Sequence, residues 1–219
     1  MQLIDHKIIR QTPLPPHTSS LFEYLFAGNG VFVRGVRPGL QVIMPVHLYN
    51  MPIRGLSELK PQLKLEPYPI PKDILISIWR QSCLARNDRG LIEILFHIQH
   101  RRDGWELRVP EQTQQTWQCQ TTQPYHEAIA EFHSHGSGTA SFSATDNAEE
   151  DGFRLYGIIG RLHTIHPEIL IRAGLFGHFL IVPASCVFDL PDFLIDVAVR
   201  DQIAYQYYTI NHNHHETQL

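Results

Sequence analysis

The pattern of apolar and polar positions divides the chain into two parts. Over residues 1–66, frequent prolines interrupt short apolar runs, which favours short strands and excludes long helices. Two of these runs, 31–36 and 40–45, flank a Pro-Gly pair and predict a hairpin, whereas residues 20–26 predict a short helix. We therefore expect a small β-rich N-terminal module, connected by a proline-rich linker at 60–72.

A helical period begins after the linker, at Lys72, and predicts a helix that ends before Gly90. The next run, 91–98, is apolar on both faces, as a central strand is, and Asp103-Gly104 predicts a hairpin after it. Alternating strands and helices indicate an α/β domain over residues 67–205, followed by a flexible tail at 206–219. Further elements are predicted at 105–109 (strand), 145–151 (helix), and 153–161, 168–173 and 176–182 (strands).

Two histidines separated by one residue follow another apolar run, at 128–130. Because alternate side chains of a strand point to the same face, His133 and His135 can reach one point. A small polar loop then leads to Asp146, which can bring a carboxylate to that point. Two imidazoles and one carboxylate leave one corner of a zinc tetrahedron open, as in catalytic zinc sites. The sequence therefore predicts a zinc centre at His133, His135 and Asp146.

The same residues have a purely structural interpretation. With 14 histidines in the chain, such a pair can arise by chance. Asp146 could be a helix N-cap with Glu149 as its capping-box partner, or Ser143 could cap the same helix. One carboxylate could also serve both the helix and a metal.

Composition narrows the functional classes. A chain of 219 residues that is 43% hydrophobic can bury a sizeable core, and a net charge of −4 provides no basic surface for nucleic acid. The three cysteines have no CxxC spacing, so neither a disulfide framework nor a cysteine zinc site is indicated. We expect a soluble, cytoplasmic protein, because no apolar run has the length of a signal sequence or membrane helix.

The spacing around these histidines resembles the zinc metallopeptidase signature of the JAB/MPN (JAMM) family, H-[S/T]-H-P-x6-S-x-x-D with a glutamate upstream. The positions that carry chemistry match at His133, His135, Ser143 and Asp146. The departure is Gly136, where the family normally has proline. The resemblance implies an α/β fold of the JAB/MPN type, with a cytidine-deaminase-like central mixed sheet flanked by helices.

Two glutamates compete for the role of general base. Strand alternation alone favours Glu131, which shares the parity of His133. The resemblance instead selects Glu93, although Ile94-Leu95 replaces the cysteine and glycine that usually follow the family's glutamate. Since Glu131 lies about 6 to 7 Å further along its strand, we predict that Glu93 is the base. The resemblance assigns Ser143 to stabilising the oxyanion.

The resemblance implies a peptidase or isopeptidase acting at the C-terminal tail of a ubiquitin-like protein. The N-terminal extension is similar to that of JAB-type proteins in bacterial PRTRC cassettes, which are found with a ThiF-like activating enzyme. Two rivals stay open: a catalytically silent MPN-type binding module, and a different metallohydrolase. An amidohydrolase barrel needs more residues than this chain has, and the deaminase motif is missing from the sequence. We also expect the glycine-containing loop 136–142 to be mobile.

Overall fold

The structure, a computed structural model, describes residues 2–114, 119–121 and 126–203. The chain divides into two compact units between Lys64 and Leu65. The sequence analysis predicted a boundary two residues later, after residue 66. The tail predicted at 206–219 lies outside the described residues. Within the described part, no helix is long and apolar enough to cross a membrane.

The first unit contains a sheet of five strands among the described residues, arranged in chain order. Leu25, Phe32 and Ile43 project from neighbouring strands into one apolar cluster, which Ile9 and Leu59 complete. The hairpin is confirmed, with Gly39 at φ +80° in its turn. The strands are β1 (Ile4–Ile8), β2 (Phe22–Ala27), β3 (Gly30–Arg37), β4 (Leu40–Leu48) and β5 (Gln62–Leu65).

The helix predicted at residues 20–26 is wrong, because this segment forms strand β2. Its side chains alternate between deeper and shallower burial, and Glu23 lies opposite Arg34 of β3. Glu23 is fully buried and contacts both Arg34 and Lys7. Although burial opposes ionisation, Lys7 and Arg34 hold the pKa of Glu23 at about 2. Cross-strand packing and this ion pair stabilise the strand over the local helical preference.

The second unit contains a mixed sheet of seven strands in its described part: β8 (Leu95–Arg101), β9 (Gly104–Arg108), β12 (Ala130–Ser134), β13 (Arg154–Gly160), β14 (Glu168–Leu175), β15 (His178–Val182) and β16 (Ile195–Asp196). Their order in the sheet is β15-β14-β13-β12-β8-β9, with β16 beside β14. Short pairs are formed by β6 (Arg86–Asn87) with β7 (Gly90–Leu91), and by β10 (Thr113–Gln114) with β11 (Cys119–Gln120). The helices are α1 (Lys72–Leu84), α2 (Ala144–Glu149), α3 (Val197–Arg200) and a 3-10 turn at Ala184–Cys186.

Strand β12 lies inside this sheet, parallel to β13 and antiparallel to β8. Phe132 points into the core, where it meets the ring of Phe188 edge-on at 5.5 Å. Its ring fills the space beside Gly157 of β13, where an added Cβ would lie 2.1 Å from it. Because side chains alternate along a strand, Glu131 and His133 lie on the opposite face. The sheet therefore presents His133 away from its apolar core.

Candidate metal centre

The two histidines lie where β12 leaves the sheet. His133 is buried within the strand, and His135 follows its last residue. The backbone N–H of His135 still donates to the carbonyl of Ile159 on β13, at 2.9 Å, so the strand direction continues through the second histidine. Both imidazoles therefore keep the common face that the sequence predicted.

The ligand atoms of His133, His135 and Asp146 all lie within 4.8 Å of one another. The two Nε2 atoms are 3.0 Å apart, and Nε2 of His133 is 3.3 Å from Oδ1 of Asp146. Zinc–ligand bonds of about 2.0–2.1 Å in a tetrahedron separate neighbouring ligand atoms by roughly 3.3 Å. The donor types and their spacing thus fit a divalent zinc ion without rearrangement of the backbone.

Helix α2 brings Asp146 to this point and uses the same carboxylate to begin. Ser143 is the N-cap, and its Oγ accepts the N–H of Asp146 at 3.2 Å. Oδ2 of Asp146 accepts the N–H of Ser143 at 2.5 Å, which completes a capping box. Oδ1 remains directed at His133. The N-cap is thus Ser143 and not Asp146, and the capping-box partner is Asp146 and not Glu149. One carboxylate oxygen of Asp146 serves the helix, and the other faces His133, where a metal could bind.

The charge states suit metal binding. Burial lowers the pKa of the His133 imidazole far below its usual value, so the ring is neutral at physiological pH. Burial alone would raise the pKa of Asp146. The interactions with His133 and with the N–H of Ser143 outweigh burial and lower this pKa below its usual value, so the carboxylate is ionised. For His135, Nδ1 lies 3.0 Å from the carbonyl oxygen of Thr139. Since a carbonyl only accepts, Nδ1 carries the hydrogen and Nε2 presents its lone pair to the site.

The loop 136–142 makes several hydrogen bonds to the residues around it, and its mobility stays a prediction. Leu162 and Arg161 donate backbone N–H groups to the carbonyls of Gly136 and Gly138, at 2.9 and 2.6 Å. The N–H of Ala140 donates to the buried carboxylate of Glu168 at 3.2 Å. The glycines made this loop look loose in the sequence, whereas the structure gives it hydrogen bonds to β14 and to the segment between β13 and β14.

Two glycines permit the close approach of this loop. At Gly160 an added Cβ would lie 2.6 Å from backbone atoms of Gly138 and Ala140. Gly136 adopts φ +51°, and an added Cβ would lie 3.2 Å from Cβ of Leu91. A proline ring sets φ near −65°, so proline would not fit this backbone. The departure from the family signature therefore accompanies a distinct backbone conformation after the second histidine.

Glu93 lies beside the site, although the predicted strand containing it begins later, at Leu95. The β8–β12 register pairs Leu95 with His133, and the N–H of Ser134 donates to the carbonyl of Ile94 at 3.1 Å. If the same register continued beyond the two strands, Glu93 would lie opposite His135. Its side chain is buried, and burial together with the charge of Asp146 raises the pKa of Glu93 to about 7.

Glu131 occupies the same face as His133 but is engaged elsewhere. Its Oε2 accepts from Nη1 of Arg154 at 3.3 Å and lies 3.8 Å from Nε2 of His97. Burial and the charge of Arg154 lower the pKa of His97 to about 4, so this ring is neutral. Sequence reasoning missed both partners. Arg154 could have been found from the sequence, because it is a charged residue at the start of an otherwise apolar strand.

Cys119 is a further neighbour that the sequence did not indicate. Burial, followed by the charges of Glu93 and Glu131, raises the pKa of its thiol far above its usual value. The thiol therefore stays protonated beside these carboxylates at neutral pH. The sequence analysis found no chemical motif at Cys119, because these carboxylates lie far from it along the chain.

Comparison with known families agrees with the signature. Residues 77–170 match the family described as prokaryotic homologs of the JAB domain. This span includes the glutamate, both histidines, the serine and the aspartate discussed above. No curated protein matches the chain significantly.

Proposed function

We propose that the chain is a zinc-dependent hydrolase of peptide or isopeptide bonds, because residues 77–170 match the family described as prokaryotic homologs of the JAB domain. The observation that supports this most is the convergence of three ligand atoms within 4.8 Å next to a buried glutamate. A bound zinc ion would polarise a water molecule and the scissile carbonyl group. The remaining chemistry belongs to side chains of this chain.

Glu93 is the proposed general base. A carboxylate of ordinary pKa is a weak base at neutral pH, whereas a pKa of about 7 lets Glu93 accept and return a proton in that range. The charge of Asp146 acts on Glu93, and Glu93 is not one of the three converging ligand residues, which supports a role as base and not as ligand. Glu93 would take the proton from the attacking water and deliver it to the leaving amine.

Ser143 is the proposed donor to the oxyanion. Its Oγ already accepts the N–H of Asp146, so the hydroxyl hydrogen is free to point towards a substrate. The residue is exposed, and the capping box fixes its position next to Asp146. A donor held in place before reaction stabilises developing negative charge without reorganisation.

The resemblance extends the proposal to the substrate, which would be the C-terminal tail of a ubiquitin-like protein or its conjugates. A ThiF-like enzyme, which would activate that protein, is the proposed partner. The alternative is a binding module of the same fold without catalysis. Ionisable groups suited to each catalytic step are present, and this favours the enzyme over the silent module.

Hydrolysis of a ubiquitin-like protein that carries a C-terminal aminocoumarin amide tests the proposal by fluorescence. We expect turnover by zinc-loaded wild-type protein, and loss of turnover after chelation with recovery on adding zinc. The Glu93→Gln variant, which preserves size and hydrogen-bonding shape, should bind the same amount of zinc and stay inactive. Binding of the ubiquitin-like protein without cleavage by the zinc-loaded wild type would favour the silent module instead.

A further inference from the structure

Helix α2 lacks the apolar contacts that normally hold a helix in place. It has six residues, and none of them is buried. Isolated helices of this length are unstable in water, because so few hydrogen bonds do not offset the cost of nucleation. Yet this helix carries Asp146, whose position decides whether the three ligand atoms converge.

Arg172 on β14 contacts Asn147 of α2 and one residue on either side of the helix. Its Nε and Nη2 lie 2.8 and 2.7 Å from Oε2 of Glu150, the residue that ends the helix, and Nη1 donates to the side-chain oxygen of Asn147. Its guanidinium carbon lies 3.8 Å from the ring centre of Phe142, which precedes the N-cap. One side chain thus contacts the residue that precedes the N-cap, one residue inside the helix and the C-cap residue.

The sheet holds Arg172 rigidly. Its guanidinium carbon lies 3.9 Å from the ring centre of Phe179 on β15. Two rings at this distance cannot share one face of a planar group, so Phe142 and Phe179 enclose the guanidinium. The side chain of Arg172 is only 4% exposed, and its strand is paired on both sides by β13 and β15. A buried, stacked arginine loses little freedom on binding its partners.

We infer that Arg172 is a positioning residue that holds Asp146 in the metal-binding arrangement by fixing α2 at both ends. The inference depends on the proposed metal site for its functional meaning. It assigns to Arg172 no contact with metal or substrate. Lysine keeps the charge but has neither the planar group that stacks between two rings nor the donors that reach Glu150 and Asn147 together.

The first unit offers a matched control. Arg34 is 5% exposed at its side chain and directs Nε and Nη2 at Oε2 of Glu23, while Nη1 donates to the carbonyl of Pro15. Arg34→Lys therefore removes the same kind of buried pair without touching α2. Loss of stability is expected in both variants, whereas loss of metal affinity is expected only in Arg172→Lys.

The experiment measures zinc dissociation constants by competition with a chromophoric chelator, at a temperature below the melting point of every variant. We expect Arg172→Lys to raise the dissociation constant by about tenfold or more, the usual effect of removing a group that orients a ligand. Arg34→Lys should stay within about twofold of wild type. A folded Arg172→Lys protein with wild-type zinc affinity would overturn the inference.

Two further measurements keep the inference testable. If Arg172→Lys does not fold, Glu150→Ala removes the carboxyl group that accepts from Arg172, and an unchanged zinc affinity there would overturn the inference. Hydrogen exchange of the metal-free proteins should be faster over residues 144–150 in Arg172→Lys than in Arg34→Lys, and equal rates would count against it. Because exchange needs no metal, a wild-type protein that binds no zinc would refute the proposed function separately.

Discussion

Asp146 and Ser143 exchange reciprocal hydrogen bonds, and this leaves one carboxylate oxygen for each of two tasks. Oδ2 accepts the N–H of Ser143 at 2.5 Å, and Oδ1 lies 3.3 Å from Nε2 of His133. The residue that begins helix α2 is therefore also the third candidate ligand. Folding of the helix and assembly of the metal centre are coupled through this one side chain.

The first prediction is a stoichiometry of one zinc per chain. Three neutral or anionic ligand atoms within 4.8 Å of one another form the site, so His135→Ala should reduce zinc to a small fraction of an equivalent. Elemental analysis after reconstitution and desalting measures this. A wild-type content below about a tenth of an equivalent would contradict the metal centre.

The second prediction separates the two glutamates. Glu93→Gln should lower turnover of the aminocoumarin substrate by about a hundredfold or more while zinc content stays the same, because a general base contributes at least that factor. Glu131→Gln should retain turnover near that of wild type. It should instead lower the free energy of unfolding by about 1 kcal/mol, since it weakens the contact with Arg154. If Glu131→Gln abolished turnover and Glu93→Gln did not, the general base would be Glu131.

A third prediction concerns the stability of the metal-free protein. The pKa of Glu93 is raised from 4.5 to about 7 in the folded state, so the folded protein holds this proton to a higher pH than the unfolded chain does. Stability is therefore lost as the pH rises through this interval, by about 1–3 kcal/mol. Glu93→Gln removes the effect. Chemical denaturation should show that the free energy of unfolding of the variant, relative to wild type, increases between pH 5 and pH 8. If the difference between the two free energies stayed constant over this range, the raised pKa would be wrong.

The fourth prediction restores the residue that the family signature has at position 136. Gly136 has φ +51°, which proline cannot adopt, so Gly136→Pro should lower the free energy of unfolding by more than about 1 kcal/mol. Zinc affinity should fall as well, because His135 immediately precedes the altered backbone. Gly177→Ala is a suitable control: it introduces strain at φ +83° in the β14–β15 turn, where an added Cβ has no neighbour within 4 Å, and zinc affinity should not change. A Gly136→Pro protein of unchanged or higher stability would show that the loop accepts the family backbone.

A fifth prediction tests the packing of the loop against the sheet. Gly160→Ala would place Cβ 2.6 Å from backbone atoms of Gly138 and Ala140, which cannot move as a flexible side chain can. The free energy of unfolding should fall by about 1–3 kcal/mol, and zinc affinity should fall with it. Calorimetry and chelator competition measure the two effects. Wild-type values for both would mean that the loop is less constrained than its hydrogen bonds indicate.

Local patterns in the sequence were sufficient for several elements and for the candidate ligands. The hairpin between β3 and β4, helix α1 and the strands from β13 to β15 follow from turn residues and from apolar periods. Strand alternation predicted that His133 and His135 share a face, and the capping signals around Ser143 and Asp146 predicted the start of α2. These features depend on residues only a few positions apart, whose geometry the backbone sets directly.

Only the tertiary structure decided what lies next to those ligands. The β8–β12 register pairs Leu95 with His133 and so brings the segment that contains Glu93 to the histidines. Gly160 packs against the backbone of Gly138 and Ala140, and Arg172 binds Glu150, which lies 22 residues earlier in the chain. Strand β2 formed where a helix was predicted, because Glu23 pairs with Arg34 across the sheet. Each of these contacts joins residues distant in sequence. Their free energy depends on register and burial, which local propensity does not contain.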